Sequence, residues 1–282
     1  MSGKNKKAMT QSVPLIGKHF GDEMKNLQNK KAFICDMDGV IYHGNNLLPG
    51  VLEFVEWLQR EEKKFVFLTN SSARTLRELS LKLGRMGLIV GEEHFYTSAR
   101  ATATFLGNQT PGGSAYVIGD AGITNALYDV GYSINDTNPD YVVVSESANY
   151  DYARICHATK LVLNGAKLIG TNPDLTGPIE GGQIVPATGA LLAPIELATG
   201  SKAYYVGKPN PLMMRNALKK LGCRREETAI IGDRMDTDII AGVEAEITTV
   251  LVLSGVTQRE DLPKYAYQPN YILNGVGDIV PT

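Results

Sequence analysis

The pattern of apolar and polar positions along the chain predicts alternating strands and helices. Continuous apolar runs are typical of strands buried on both faces, and in the outer parts of the chain they occupy residues 32–35, 65–68, 203–206, 229–231 and 248–253. Between them, apolar residues recur at i, i+3, i+4 and i+7, as at 51–58 and 214–221, which predicts helices packed on a sheet. This alternation is typical of an α/β fold with a Rossmann-like, doubly wound parallel sheet.

The middle of the chain repeats this pattern and predicts a second α/β unit inserted into the first. Its apolar runs lie at 115–118, 141–144 and 167–169. A chain of 282 residues is long enough for two domains. We therefore predict an N-terminal extension at 1–31, a discontinuous core at 32–92 and 203–282, and a cap domain at 93–202.

Composition and charge narrow the class of protein. Hydrophobic residues make up 43% of the chain and charged residues 21%, as in ordinary globular proteins. The net charge of −2 gives no basic field for nucleic acid, although residues 1–31 alone carry seven Lys and two acids. That extension lacks the apolar stretch of a signal peptide, and its role stays open.

The three cysteines and the apolar runs bear on location. Cys35, Cys156 and Cys223 lie far apart and form no CxxC motif, which favours a reducing compartment, and we expect a cytoplasmic protein. No apolar run is long enough to span a membrane. The four histidines are scattered, and we interpret them as structural or surface residues: His19, His43, His94 and His157.

Polar residues follow the outer strands at the points where these strands end. They include Asp36 and Asp38 after the first run, Thr69 and Asn70 after the second, Lys208 after the third, and Asp233 and Asp238 after the fourth. Ligands of doubly wound sheets bind at the carboxyl ends of the strands, so these four segments are expected to form one site. Taken singly, each has an ordinary explanation as a turn, a helix cap or a solvated lysine.

The charges expected in that site indicate a bound cation. Four carboxylates with only one ammonium repel one another unless a proton or a metal ion joins them. Hard oxygen ligands suit Mg²⁺, and a carboxylate, Mg²⁺ and Lys cluster beside glycine-rich turns suits a phosphoryl group.

The motifs resemble those of the haloacid dehalogenase-like (HAD) superfamily, and within it the NagD-type phosphatases. The resemblance covers the chain from about residue 32 to 280 and rests on four ordered motifs: DMDGVIYHG (36–44), LTNSS (68–72), VGKPNP (206–211) and IGDRMDTDI (231–239). The segment between the second and third motifs resembles the large α/β cap of this subgroup, including YTSARATATFL (96–106) and TNPD (171–174).

The resemblance implies a mechanism for phosphomonoester hydrolysis. Asp36 would be the nucleophile that forms an aspartyl-phosphate, and Asp38 would be the general acid and then the general base. Thr69 and the backbone near Asn70 would bind phosphate oxygens, and Lys208 would balance the charge of the phosphate and of Asp36. Mg²⁺ would be held by Asp36, Asp233 and the Asp38 backbone carbonyl, with Asp238 supporting these ligands from behind.

The cap is expected to close over the site and select the leaving group, with hinges near 90–97 and 198–203. Asn172 and Asp174 are candidates for substrate contact, and the Tyr and Glu residues near 146–152 are further candidates. The expected substrate is a small phosphorylated metabolite, with nucleoside monophosphates preferred. Phosphoglycolate, pyridoxal phosphate, sugar phosphates and aryl phosphates such as p-nitrophenyl phosphate are alternatives. We expect a monomer or homodimer without nucleic-acid or membrane partners.

Three other functions stay open at this point. A phosphotransferase or phosphomutase would use the same motifs but pass the phosphoryl group to a sugar or nucleotide. A phospho-accepting receiver module fits the DxDG spacing poorly, and the chain is too long for one. A catalytically inactive binding protein is disfavoured because the motif residues are all present.

Overall fold

The computed structural model describes residues 20–178 and 183–281, and the expectations about residues 1–19, including His19, lie outside this range. The strands are β1 Ala32–Cys35, β2 Tyr42–His43, β3 Asn46–Leu47, β4 Lys64–Thr69, β5 Phe95–Thr97, β6 Ser114–Ile118, β7 Ser133–Ile134, β8 Tyr141–Val144, β9 Lys167–Gly170, β10 Thr176–Pro178, β11 Ile184–Pro186, β12 Tyr204–Tyr205, β13 Thr228–Gly232, β14 Thr248–Val252 and β15 Tyr271–Leu273. The helices are α1 Phe20–Gln28, α2 Val51–Arg60, α3 Leu76–Arg85, α4 Ser98–Gln109, α5 Ala121–Asp129, α6 Tyr152–Leu163, α7 Thr188–Thr199, α8 Pro211–Leu221 and α9 Ile240–Glu244.

Two parallel sheets form the two units of the fold. The core sheet has the order β15-β14-β13-β1-β4-β5, and the cap sheet has the order β12-β9-β8-β6-β7. Strand β1 lies between β13 and β4, so the residues after these three strands reach the same edge of the sheet. An α/β core with an inserted α/β cap is therefore present, as predicted.

Local sequence signals account for where several helices begin and end. Thr75 caps α3 in a capping box with Glu78, and the side chain of Asn210 accepts a hydrogen bond from the backbone N–H of Leu212 at the start of α8. Gly222 ends α8 in the left-handed conformation. These signals fix where α3 and α8 begin and where α8 ends.

The predicted domain boundaries differ from the observed strand pairing at two points. Strand β5, placed in the cap by a boundary at 92, is the edge strand of the core sheet, where it pairs with β4. Strand β12, placed in the core by a boundary at 203, pairs with β9 of the cap sheet. The predicted extension also contains α1, whose Leu27 is fully buried against the core. Each difference arises because pairing and packing are long-range properties that a local apolar pattern does not reveal.

The chain passes from the core sheet to the cap sheet between β5 and β6, and it returns to the core sheet between β12 and β13. The predicted hinges near 90–97 and 198–203 lie away from these crossings, because β5 belongs to the core sheet and 198–203 lies within the cap. One apolar cluster also spans both units, joining Ile34 and Val66 of the core sheet to Val143 and Ile169 of the cap sheet. This shared cluster stabilises the cap against the core.

Within the part of the chain that the structure describes, no helix has both the length and the apolar character needed to cross a bilayer.

Candidate active site

A buried ion-pair chain lies at the carboxyl edge of the core sheet. The ammonium of Lys208 lies 2.5 Å from Asp36 Oδ1 and 2.7 Å from Asp238 Oδ1. The side chains of Lys208, Asp36 and Asp238 are 3%, 13% and 1% exposed, so water screens this attraction weakly. The predicted meeting of the segments after β1, β12 and β13 is therefore present in the structure.

Burial and charge shift the pKa values of these groups. Burial raises the pKa of Asp36 well above its usual range, and Lys208 only partly offsets this. Burial would lower the pKa of Lys208, but Asp238 and Asp36 together raise it above its ordinary value. Lysine is therefore held charged between two carboxylates, where it neutralises them.

Asp233 completes an acidic cluster that can hold a cation. Carboxylate oxygens of Asp36, Asp233 and Asp238 lie within 4.8 Å of one another. Asp233 Oδ2 accepts a hydrogen bond from the backbone N–H of Val256 at 2.7 Å, whereas its buried Oδ1 has no partner among the described residues. Burial and then Asp238 raise the pKa of Asp233 to about 7. An unpartnered buried carboxylate oxygen beside two further carboxylates is the donor set that a hard divalent cation fits.

Asp238 has a different position in this cluster. Lys208 donates to its Oδ1, and the backbone N–H of Arg234 donates to its Oδ2 at 3.1 Å. Both of its oxygens are therefore engaged by the protein, and its supporting role behind the ligands stays a prediction.

A glycine is required where the loop after β14 contacts Asp233. A Cβ at Gly255 would lie 2.0 Å from Asp233 Oδ2, so a side chain there would displace the carboxylate. We expect Gly255→Ala to destabilise the protein by about 1–3 kcal/mol and to lower phosphate release, measured by urea denaturation and by a phosphate assay.

Gly84→Ala provides the matched control for that substitution. Gly84 lies in α3, and no atom lies within 4 Å of a Cβ placed there. Alanine should stabilise this helix by about 0.5–1 kcal/mol and leave phosphate release unchanged. Wild-type activity and stability in Gly255→Ala would contradict the packing role assigned to Gly255.

Asp38 lies at the more open side of the site. Its side chain is 43% exposed, and the ring Nδ1 of His43 lies 3.8 Å from its Oδ1. Burial raises the pKa of Asp38, while Lys82 and His43 lower it in part. The ammonium of Lys82 lies 3.6 Å from the centre of the Tyr42 ring. His43 is exposed, in agreement with its interpretation as a surface residue, and it also lies beside the predicted general acid.

Thr69 ends β4 and Asn70 begins the loop that follows, and both lie at the site. Thr69 is 8% exposed, and its hydroxyl accepts a hydrogen bond from the backbone N–H of Ser71 at 3.0 Å. The side chain of Asn70 binds both backbone groups of Lys208: Oδ1 accepts from its N–H at 2.7 Å, and Nδ2 donates to its carbonyl at 3.0 Å. The side-chain amide of Asn70 therefore positions Lys208. The phosphate contact predicted for this segment is left to the backbone near Asn70.

The two cap residues predicted to contact substrate lie at the junction with the core. Asn172 is fully buried, and its Nδ2 donates to the carbonyl of Asn70 at 2.8 Å and to Glu146 Oε1 at 3.0 Å. This position corrects the prediction for Asn172, because its amide is enclosed by protein. Asp174 accepts a hydrogen bond from Asn70 Nδ2 at 2.9 Å and lies 3.6 Å from Arg234. Its carboxylate is 14% exposed, and its contact with substrate stays a prediction.

Comparison with known proteins identifies the family. Residues 33–133 match the model of the haloacid dehalogenase-like hydrolases, and residues 205–279 match a second, HAD-hydrolase-like model. The chain is 44% identical to the dihydroxyacetone phosphatase of Corynebacterium glutamicum over 248 residues, covering 88% of this chain and 90% of that protein. The chain belongs to the haloacid dehalogenase-like hydrolases.

Two other relatives place the chain among the NagD-type phosphatases of this family. The ribonucleotide monophosphatase NagD of Escherichia coli K12 is 42% identical over 88% of this chain and 98% of its own length. Its solved structure matches with a TM-score of 0.84, covering 89% of this chain and all of that one. The 4-nitrophenylphosphatase of Thermotoga maritima matches with a TM-score of 0.86 at 35% identity, over 90% of this chain and 97% of that one.

These relatives are all named phosphatases, and the chain matches nearly their full length. The protein is therefore a NagD-type HAD phosphatase that acts on small phosphorylated metabolites. Hydrolysis is favoured over the phosphotransferase and phosphomutase alternatives, and over a receiver module.

Proposed function

We propose that this phosphatase hydrolyses its substrate through a phosphoryl group carried on Asp36. The observation that supports this most directly is the Lys208 ammonium between Asp36 and Asp238. Lys208 lowers the pKa of Asp36 and so opposes the effect of burial, and attack on phosphorus requires the ionised carboxylate. Asp36 would form the bond to phosphorus while the ester oxygen leaves with its electron pair.

Asp38 is proposed as the acid that protonates the leaving oxygen. Its raised pKa favours the protonated form more than that of an ordinary aspartate, and its partly exposed side chain is accessible to a substrate. Once the alcohol has left, the resulting carboxylate would take a proton from the water that releases phosphate from Asp36. Asp38 is then protonated again, as it was before the reaction began.

The acidic cluster is proposed as a Mg²⁺ site. Asp36, Asp233 and the backbone carbonyl of Asp38 would hold the ion, and the buried, unpartnered Oδ1 of Asp233 supports this fit. Bound Mg²⁺ supplies positive charge that neutralises phosphate oxygens. Thr69 and Lys208 would bind the remaining phosphate oxygens through their hydroxyl and ammonium groups.

Nucleoside monophosphates are the proposed substrates. The resemblance to the ribonucleotide monophosphatase NagD, which extends over nearly the whole of that protein, supports this choice. The similarity to a dihydroxyacetone phosphatase makes a triose phosphate the second candidate.

The test is phosphate release from a panel of esters, with Mg²⁺ and with the metal removed by EDTA. We expect Mg²⁺-dependent release, with the highest kcat/KM for nucleoside 5′-monophosphates among nucleotides, sugar phosphates, dihydroxyacetone phosphate and p-nitrophenyl phosphate. A higher kcat/KM for dihydroxyacetone phosphate would overturn the nucleotide proposal. Unchanged release in EDTA would overturn the metal proposal.

A cytoplasmic location and a monomeric or homodimeric state complete the proposal. The free cysteines Cys35, Cys156 and Cys223 are compatible with a reducing compartment. Cell fractionation and light scattering on the purified protein test the two statements. Recovery in the membrane fraction, or a mass above that of a dimer, would contradict them.

A further inference from the structure

The cap residue Glu146 contacts the loop that follows Thr69. It follows β8 of the cap sheet, and its carboxylate accepts three hydrogen bonds from uncharged groups. Oε2 accepts from the backbone N–H and the hydroxyl of Ser72 at 2.9 and 3.1 Å, and Oε1 accepts from Asn172 Nδ2 at 3.0 Å. No Lys, Arg or His of the described residues pairs with it. This carboxylate is therefore committed to hydrogen bonds across the junction between cap and core.

The hydroxyl of Ser72 is held from both sides by cap residues. It is fully buried and accepts hydrogen bonds from Ser145 Oγ at 2.7 Å and Thr171 Oγ1 at 3.0 Å, while it donates to Glu146. Because a hydroxyl has one donor and two acceptor sites, every site of Ser72 is used. Its position is fixed only when the cap is docked in this arrangement.

The same contacts extend from the loop to the catalytic centre. Asn172 binds the carbonyl of Asn70 as well as Glu146, so the loop is held at residues 70 and 72. Asn70 in turn binds both backbone groups of Lys208, and Lys208 contacts Asp36. A continuous hydrogen-bond path therefore runs from Glu146 through Asn172, Asn70 and Lys208 to the nucleophile.

We propose that Glu146 is a positioning residue, which holds the phosphate-binding loop and Lys208 in place through Ser72, Asn172 and Asn70. The inference rests on the residue roles proposed above. Glu146 does not touch the reacting atoms; it fixes the groups that do. Displacements near 1 Å at a reacting centre cost about 10²-fold in rate, so a lost anchor has a large effect.

Two substitutions give graded losses. In Glu146→Ala all three hydrogen bonds disappear and three buried donors lose their acceptor. In Glu146→Gln the amide oxygen can replace only one of the two accepting carboxylate oxygens. The NH₂ group takes the place of the other, so it faces a second donor, either Asn172 Nδ2 or the groups of Ser72. We expect kcat to fall about 10- to 100-fold in Glu146→Ala and by a smaller factor in Glu146→Gln.

Glu196→Gln is the matched control. Glu196 is also a largely buried cap acid, 14% exposed, and it accepts a hydrogen bond from the backbone N–H of Ala203 at 2.8 Å. It lies outside the path from Glu146 to Lys208, so we expect its kcat to equal that of the wild type.

The assay measures kcat and KM for p-nitrophenyl phosphate, adenosine 5′-monophosphate and dihydroxyacetone phosphate, with near-UV circular dichroism as a check of folding. A positioning role predicts that, within each folded variant, kcat falls by the same factor for every ester that the wild type hydrolyses. The factor itself is smaller in Glu146→Gln than in Glu146→Ala. A loss confined to one ester, through a higher KM, would show direct substrate contact and overturn the proposal. So would a kcat within twofold of the wild type in both variants. Failure of the proposed function is distinct, because it would appear in other measurements: turnover by Asp36→Asn, release that is unchanged in EDTA, or a preference of the wild type for dihydroxyacetone phosphate.

Discussion

We expect replacement of Asp36 by Asn to lower the rate of phosphate release by at least about 10⁴-fold while the fold persists. The amide is a poor nucleophile, and the residual rate depends only on binding and electrostatic stabilisation by the remaining groups. The fold should persist because burial already opposes the charge on Asp36, and Lys208 keeps its contact with Asp238 at 2.7 Å. Measurement of phosphate release and of Tm checks both parts, and we expect Tm to change by less than about 4 °C.

Asp129→Asn serves as the control for Asp36→Asn. Asp129 is a cap carboxylate, 61% exposed, that pairs with Arg100 away from the site. Its replacement should leave phosphate release unchanged. Turnover like that of the wild type in Asp36→Asn would contradict the assignment of the nucleophile.

We expect replacement of Lys208 by Met to remove activity and also to destabilise the protein. The substitution leaves Asp36, Asp233 and Asp238 buried without their cation, and breaking a buried pair from one side costs about 3–5 kcal/mol. Urea denaturation measures this change in the free energy of unfolding. Adding Asp238→Asn should restore part of the stability and none of the activity, since one buried charge is then removed.

The loss of stability in Lys208→Met depends on pH with a definite sign. Burial raises the folded-state pKa of Asp36 and Asp233, the latter to about 7, above the unfolded value of 3.8. Such groups favour the folded state when protonated, so stability falls as pH rises from the unfolded toward the folded pKa. The destabilisation in Lys208→Met should therefore be larger at pH 8 than at pH 5.

Lys264→Met is the control for this pH series. Lys264 lies 2.6 Å from Asp261 in an exposed pair, where water screens the attraction, so little change is expected at either pH. Stability of Lys208→Met equal to that of the wild type at pH 8 would contradict the neutralising role of Lys208.

Elements buried on both faces could be predicted well from the sequence. Strands β1 and β8 are fully buried, and their observed bounds equal the predicted runs at 32–35 and 141–144. Strand β12 shows the limit of this reasoning. Its two tyrosines are exposed or half-buried, and they form an edge strand whose partner, β9, no local pattern identifies.

The same division holds for the candidate site. Asp36, Lys208, Asp233 and Asp238 follow strand ends, so their meeting could be inferred from the topology of a parallel sheet. The partners of Asn172 could not, because its bonds to Asn70 and Glu146 join parts of the chain 102 and 26 residues away. Glu146 carries no local motif, and only its three donors indicate what it does.

The second crossing between cap and core has a consequence for protein engineering. Gly207 donates a backbone hydrogen bond to the carbonyl of Thr171 at 2.8 Å, and a Cβ there would lie 2.6 Å from that oxygen. The cap sheet's pairing thus continues to the residue before Lys208. A chimera that takes its cap from a relative should therefore be joined between β5 and β6 and beyond residue 208, so that Lys208 and the cap strand before it come from the same protein. Splicing at 203 would take β12 from one protein and its partner β9 from the other. Lys208 would then follow a strand that is paired with a strand of another protein.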